Sequence, residues 1–570
     1  MGLKAYITDY NNSIMFKKTS AKSQLDVFSN PNSFLKGRSE DIYEQSDSWH
    51  NLFRTQVTLR IDESLFASLF SEKTGSPNAS VRILVAMMIL KEANRWSDLQ
   101  LFEQCRFNLL VRKALGLINI DDPIPTESTY YLFRKRIVDH ERQGNPNLLE
   151  ETFAAVTKGQ ANDFQVSGRS IRMDSKLLGS NIAWLSRYEL IHETLRLFCS
   201  KAGITNLESK MSTSQMELIN SLLAEKGNKV VYRCSGDDVK VRLIDLGRLA
   251  YRLVTVFKGS SHKQYTTLSK VFEEQFNVDE EKTVIPKPKE SIATDSTQSP
   301  HDTDCNYRNK DGNKVKGYSV NVTESCDKEG LNLISGVEVK TADAIDNDFL
   351  EASVLQAGAV FCDPAEKIHA DGAYHSPSNQ VFAAKMKAEI ILNAIQGPKG
   401  RYDLVLGENG KLTVTDLKTD LPVEVKKMKS GEKWRIKGEK KYRYFTQKEI
   451  TACELRRKVA SIPQSVLNVR NNVEATIFQL GYHYNNNKTR YRNLIKHKMW
   501  ANARCLWVNF VRILKHSHES EKSTALWPKT IIFYLKWDVK GQFLSILKRI
   551  KISFNQIVPH FPESRIMSGL

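Results

Sequence analysis

The chain has 570 residues, 41% hydrophobic and 26% charged, long enough to bury a sizeable core and to form more than one domain. Its 83 Lys and Arg outnumber 65 Asp and Glu, a formal net charge of +18 that favours a polyanionic partner, nucleic acid above an acidic membrane surface. The longest purely apolar run, ILVAMMIL at 83–90, falls far short of the roughly 20 residues that cross a bilayer, and eight scattered cysteines without a C-x-x-C pair exclude a zinc ribbon and a disulfide scaffold and fit a reducing cytoplasm.

MGLKAYITDYNN lacks the basic-then-apolar layout of a secretory signal, so export is not expected. Residues 1–79 form an N-terminal segment without a sustained period, ending in the loop SEKTGSPNAS. From Ser80 the pattern is helical. SVRILVAMMILKEANRW and SDLQLFEQCRFNLLVRKALGL each open on a capping Ser, and a Gly closes the second. YYLFRKRIVDHERQ follows, with Thr126 or Ser128 as its cap. Residues 80–160 are therefore expected to be an all-α DNA-binding domain. Arg134, Lys135 and Arg136, near the start of that helix, suit docking on phosphates in the manner of a helix-turn-helix reader; a solvated amphipathic face is the competing reading.

FQVSGRSIRMDSKLLGSNIAW predicts a strand over Ser170–Met173 that ends on Asp174, in a first core segment at 161–184. Helical patterns at 185–282 and the irregular stretch TVIPKPKESIATDSTQSPHDTDCNYRNKDGNK make 185–300 a helical insertion with a linker. His301, Asp302 and Asp304 read as turn formers there rather than metal ligands. In a second core segment, 301–396, KGYSVNVTE and LNLISGVEVKTA alternate as an antiparallel hairpin. DNDFLEASVLQAG predicts a helix capped by Asp346 or Asn347 and stopped by Gly358; EKIHAD predicts a strand ending on Asp371, and AEIILNAI another strand. Asp371 is either a turn residue before Gly372 or a carboxylate presented at a strand rim. The fold class is α/β, a mixed sheet flanked by helices.

Residues 397–455 alternate in short runs and predict a β-rich insertion. Between Lys426 and Lys458, thirteen Lys and Arg face four Asp and Glu, with Trp434, Tyr442, Tyr444 and Phe445 interleaved. That mixture suits phosphate contacts and base stacking, or an ordinary solvated β face. SIPQSVLNVRNNVEATIFQLG, in a last core segment at 456–515, predicts a helix with Pro463 in its first turn and Gly481 at its end. Val466, Val469, Val473, Ile477 and Leu480 form its apolar stripe, and Arg470 and Glu474 stand together at the stripe's edge. An i,i+4 surface ion pair explains their spacing but not their placement. Asp174, Asp371 and Glu474 gathered at one sheet edge would suit Mg²⁺ or Mn²⁺. Two such ions roughly 3.5–4 Å apart support phosphoryl transfer. The tail, 516–570, is basic and aromatic and suggests no function.

The order RMDSKLLGSNI, SPHDTD with KGYSVNVTE, HADGAYHS, then VRNNVEATIFQLG with KTRYRNLIKHKMWANARCLWVNFVRIL resembles the DDE transposases of bacterial insertion sequences, over roughly residues 80–515. The resemblance implies an RNase H-like catalytic core whose metal-holding triad is Asp174, Asp371 and Glu474, with Arg470 orienting Glu474 or neutralising a phosphate oxygen. It implies divalent metal, Mg²⁺ or Mn²⁺, hydrolysis at the ends of a mobile element and attack of the freed 3′-hydroxyl on target DNA. It further implies a homodimer on paired ends, in a bacterial cytoplasm at the nucleoid. Related transposases carry a Tyr-Arg-Glu-Lys signature; here Arg470 and Glu474 keep their interval while Leu467 and Gly481 replace the Tyr and the Lys. Lys488, Arg490, Arg492, Lys496 and Lys498 are the nearby cations expected to contact DNA instead. An RNase H-like endonuclease without strand transfer and a non-catalytic DNA-binding derivative are the alternatives.

Overall fold

The computed structural model describes residues 16–19, 29–71, 77–310, 312–327, 330–395, 397, 399–407, 409–428, 433–436, 443–481 and 487–520. Contacts divide the chain into two compact units, residues 1–514 and 515–570, and the architecture that follows belongs to the first. Tyr442, nearly all of the 516–570 tail and the segment 482–486 lie outside the described residues.

The N-terminal helices are α1 (Arg38–Glu44), α2 (Trp49–Gln56), α3 (Val81–Asn94), α4 (Asp98–Phe107), α5 (Leu109–Leu115), α6 (Glu127–Arg142) and α7 (Leu148–Asp163). Caps set their ends as the sequence indicates: Ser80 Oγ accepts the Ile83 N–H at 3.3 Å, Ser97 forms a capping box with Gln100, and Thr126 Oγ1 accepts the Thr129 N–H at 3.3 Å. Helix α3 is buried on almost every side, the fate of an apolar octet too short to span a membrane. Among the described residues no helix is long and apolar enough to cross one. The single helix expected after Ser97 is two: Asn108 breaks it, its side-chain oxygen capping α5 through the Leu110 and Val111 amides. Helices α1 and α2 are short amphipathic pieces in a stretch whose sequence shows no sustained period.

The main sheet comprises β1 (Ser170–Gly179), β4 (Asn306–Lys310), β5 (Asn313–Ser325), β6 (Ile334–Thr341), β7 (Lys367–Ala370) and β8 (Glu389–Leu392). Its order is β4-β5-β1-β7-β8, with β6 following β4 along the edge of β5 away from β1; β5 runs antiparallel to β1, β4 and β6, while β7 and β8 run parallel to β1 and to each other. The β5–β6 hairpin and strands β7 and β8 agree with the sequence reading. Strand β1 does not stop at Met173, because β5 pairs with it as far as Gly179↔Gly317, and Asp174 therefore sits in mid-strand. The stretch read as an irregular connection contributes β4, and its Val284–Pro286 piece, β3, pairs with β2 (Phe276–Val278).

Between β1 and β4 lie α8 (Arg187–Ala202), α9 (Ile204–Glu208), α10 (Thr213–Ala224), α11 (Gly227–Arg233), α12 (Gly236–Val256) and α13 (Lys263–Gln275), the expected helical run with its own apolar core. After β6, α14 (Leu350–Phe361) passes straight through Gly358 and ends at Cys362, in the left-handed region at φ 52. A 3-10 turn at Asp346–Phe349 precedes it, so neither Asp346 nor Asn347 is its cap. Then come α15 (Pro377–Lys385), strands β9 (Tyr402–Leu406), β10 (Leu412–Asp416), β11 (Leu421–Val423), β12 (Val425–Lys427), β13 (Lys433–Ile436) and β14 (Tyr444–Thr446), and helices α16 (Gln447–Ser461), α17 (Gln464–Leu467), α18 (Asn471–Gly481) and α19 (Leu494–Ser520). One sheet face packs Ile171, Met173, Ile368, Ala370, Leu350 and Val354 into a core. The other face of β1 and β5 carries α18.

Candidate active site

The helix expected over 463–481 is interrupted by a 3-10 turn at Asn468–Arg470, which joins α17 to α18. Val473, Ile477 and Leu480 of the stripe are buried, Val466 and Val469 half-buried, and Thr476 joins the buried side. Arg470, only 9% exposed, therefore points at the sheet while Glu474 stays at the solvent edge.

Side chains alternate along β1, so Arg172, Asp174 and Lys176 share the face opposite Met173. Arg470 Nη2 lies 2.8 Å from Asp174 Oδ2, and Arg470 Nη1 lies 3.0 Å from Glu474 Oε1. Strands β1 and β7 pair in parallel with Arg172↔His369. Asp371 follows directly on the end of β7, one residue past Ala370, on the strand that neighbours β1. Asp371 acts on both neighbours: its charge helps raise the Asp174 pKa and helps hold the Arg470 guanidinium protonated. Burial is the largest influence on Asp174 and pushes its carboxyl above the ordinary aspartate value, against the pull of Arg470 and of the Ser175 amide. Asp371 is also a turn residue, accepting the Gly372 N–H at 2.6 Å, as its turn reading expects. Asp174 and Glu474 thus pair with one guanidinium, and the Asp371 charge acts on Asp174 and Arg470. Among the described residues no three His, Cys, Asp or Glu side chains meet as a metal-ligand set.

Beneath α18 is a network the sequence did not reveal. Glu324 on β5, 0% exposed, accepts Arg172 Nε at 2.6 Å and Thr476 Oγ1 at 2.8 Å, and pairs with Arg512 Nη2 at 2.7 Å. Arg172 Nη1 also donates to the Val469 carbonyl at 3.1 Å. Burial alone would raise the Glu324 pKa, but the two guanidinium charges and the Thr476 hydroxyl outweigh it and hold the carboxyl below the usual glutamate value. The network joins β1, β5, α18 and α19, and so fixes the helix that carries Arg470 and Glu474. The signal available was parity: Arg172 and Lys176 flank Asp174 at two-residue spacing.

The expected DNA-contacting cations divide. Consecutive residues on a helix diverge by about 100°, and Arg134, Lys135 and Arg136 cannot share a face. Arg134 turns inward, 3.8 Å from Asp98 and over the Tyr130 ring; Arg136 covers the Phe70 ring; Lys135 is exposed. Lys488, Arg490 and Arg492 donate to the carbonyls of Ile182, Trp96 and Asn181, which positions them without neutralising their charge. Lys498 pairs with Glu141 at 2.9 Å. Lys496 faces Arg134, Arg142, Lys263 and Arg492, and burial followed by these like charges lowers its pKa. In the β-rich insertion Trp434 and Phe445 are 5% and 1% exposed, part of its core, which removes them as stacking platforms; Tyr444 is exposed. His301 pairs with Glu193, Asp302 accepts the Tyr318 hydroxyl at 2.7 Å, and Asp304 accepts the Leu494 N–H at 3.2 Å: structural tethers, in line with the turn reading.

Comparison with curated proteins and comparison with solved structures each return no match. Residues 40–136, from α1 into α6 and short of all three acids, match the family model described as Transposase domain (DUF772), and this match supports a transposase.

Proposed function

We propose that the chain is a DDE-type DNA transposase with an RNase H-like core, which binds the terminal inverted repeats of an insertion sequence and catalyses metal-dependent cleavage and strand transfer. The observation that carries this reading is the convergence of Asp174 and Glu474 on Arg470, with Asp371 one strand away. The transposase-domain match and the net charge of +18 support it independently. The mixed sheet with α18 laid across β1 and β5 supports the RNase H-like reading.

The donor set is all carboxylate oxygen, the chemistry that Mg²⁺ and Mn²⁺ take, and the pairing of Asp174 and Glu474 with the Arg470 cation supports Asp174, Asp371 and Glu474 as the residues that would hold such an ion. Bound there, two such ions would activate an attacking oxygen and stabilise the leaving one. Arg470 pairs with Asp174 and Glu474 and orients both, and its charge attracts a phosphodiester. The Glu324 network holds α18 at a fixed roll against the sheet. Lys135, Lys488, Arg490 and Arg492 offer phosphate contacts, and Lys496 adds to the basic surface. The protein would act as a homodimer on double-stranded element ends, at the nucleoid in a bacterial cytoplasm.

Incubation with labelled element ends, target DNA and Mg²⁺ tests the proposal. Joined products are the expected result. Hydrolysis without joining indicates an RNase H-like endonuclease, and binding alone indicates a non-catalytic derivative.

A further inference from the structure

Lys176 lies one strand repeat beyond Asp174 on the same face of β1, about 7 Å along the strand. The other charged side chains of that face are anchored, Arg172 to Glu324 and Asp174 to Arg470. Lys176 is half-buried, yet it has no hydrogen-bond or ion-pair partner among the described residues. Its ammonium rests against the end of α18, where a Cβ added at Gly481 would sit 3.7 Å from Lys176 Nζ. The carbonyls of a helix C-terminus favour a cation there, and the missing side chain at 481 leaves room for it. A partly desolvated charge without a carboxylate is costly until an anion meets it.

We propose that Lys176 binds a backbone phosphate of the DNA strand next to the reacting one. This rests on the reading of the site as one that acts on a DNA backbone. A bound strand would run along β1, its reacting phosphate at the acids and its neighbour at Lys176.

The test is binding of a labelled element-end duplex by the full-length protein over a series of salt concentrations. Lys176→Met is expected to weaken binding and to make the slope of log K against log salt shallower by about 0.9, the release of one counterion fewer. The slope does not depend on the fraction of protein folded, so misfolding cannot mimic this result. Adding Gly481→Lys to Lys176→Met is expected to restore both slope and affinity. An unchanged slope in Lys176→Met, or no recovery in the double variant, overturns the assignment alone. A wild-type protein that binds no DNA overturns the functional reading and this assignment with it.

Discussion

Arg470, on the turn that enters α18, forms a 2.8 Å ion pair with Asp174 in the middle of β1. The two side chains are 10% and 16% exposed, so solvent screens the pair little. Replacing Arg470 by Ala leaves a buried carboxylate without its cation and also releases Glu474. We expect a loss of about 3 kcal/mol in urea unfolding. Arg470→Lys should recover only part of it, because a single ammonium cannot hold two carboxylates as a guanidinium fork does. An unchanged urea midpoint in Arg470→Ala would remove this residue from its central place.

Glu324 is the only acid meeting Arg172 and Arg512 in their buried network among the described residues. Glu324→Gln keeps the shape and strips the charge, leaving two desolvated guanidinium groups; the expected cost is about 3–5 kcal/mol. Because its folded pKa is depressed, Glu324 contributes stability above the ordinary glutamate pKa, and that contribution is lost as pH falls through the lower folded value. Wild-type protein should therefore lose stability on acidification more steeply than Glu324→Gln. Parallel pH profiles of the two proteins would contradict this.

His497 is fully buried between Thr489 Oγ1, at 2.7 Å, and the Asn493 carbonyl, at 2.8 Å, with the Tyr318 ring 4.2 Å away. Burial lowers its pKa from 6.5 to about 4, even though the Asn493 carbonyl and the nearby Asp302 and Asp304 favour the charged form. The unfolded chain binds a proton in that interval and the folded chain does not. Stability is thus fully present above pH 6.5 and declines as pH drops towards 4, by about 1.4 kcal/mol per unit of pKa difference. Guanidinium unfolding at pH 7.5 and 5 should show the decline, and His497→Gln should flatten it.

At Gly317 a Cβ would run into the Leu178 carbonyl and the Ser180 amide, where β5 crosses β1. Gly317→Ala should cost about 1–3 kcal/mol through overpacking, or more where the backbone cannot yield. A thermal melt that matches wild type would show that the β1–β5 contact has slack.

Much of this arrangement is legible in residue order because local chemistry dictates it: caps at Ser80, Ser97 and Thr126, the alternating β5–β6 hairpin, and Asp371 directly after β7. The misreadings come from long-range pairing and from geometry within helices. Asp174–Leu177 of β1 are half-buried on both faces, and only the pairing with β5 reveals that Asp174 is mid-strand. Gly358 suggests a stop that α14 ignores, since its φ is not in the left-handed region there. Trp434 and Phe445 resemble stacking rings in composition but fill a core that short strands alone could not close. Glu324 stays hidden because its partners come from β1, α18 and α19.

The central claim is that Asp174, Asp371 and Glu474 act as one centre on DNA. Its most direct test is the single-turnover rate of element-end nicking in Mg²⁺ for Asp174→Asn, Asp371→Asn and Glu474→Gln, each beside a gel-shift measurement of end binding. Each substitution alone should lower nicking by roughly three orders of magnitude, about as much as all three together, while end binding persists. Wild-type nicking by any one of the three variants would contradict it.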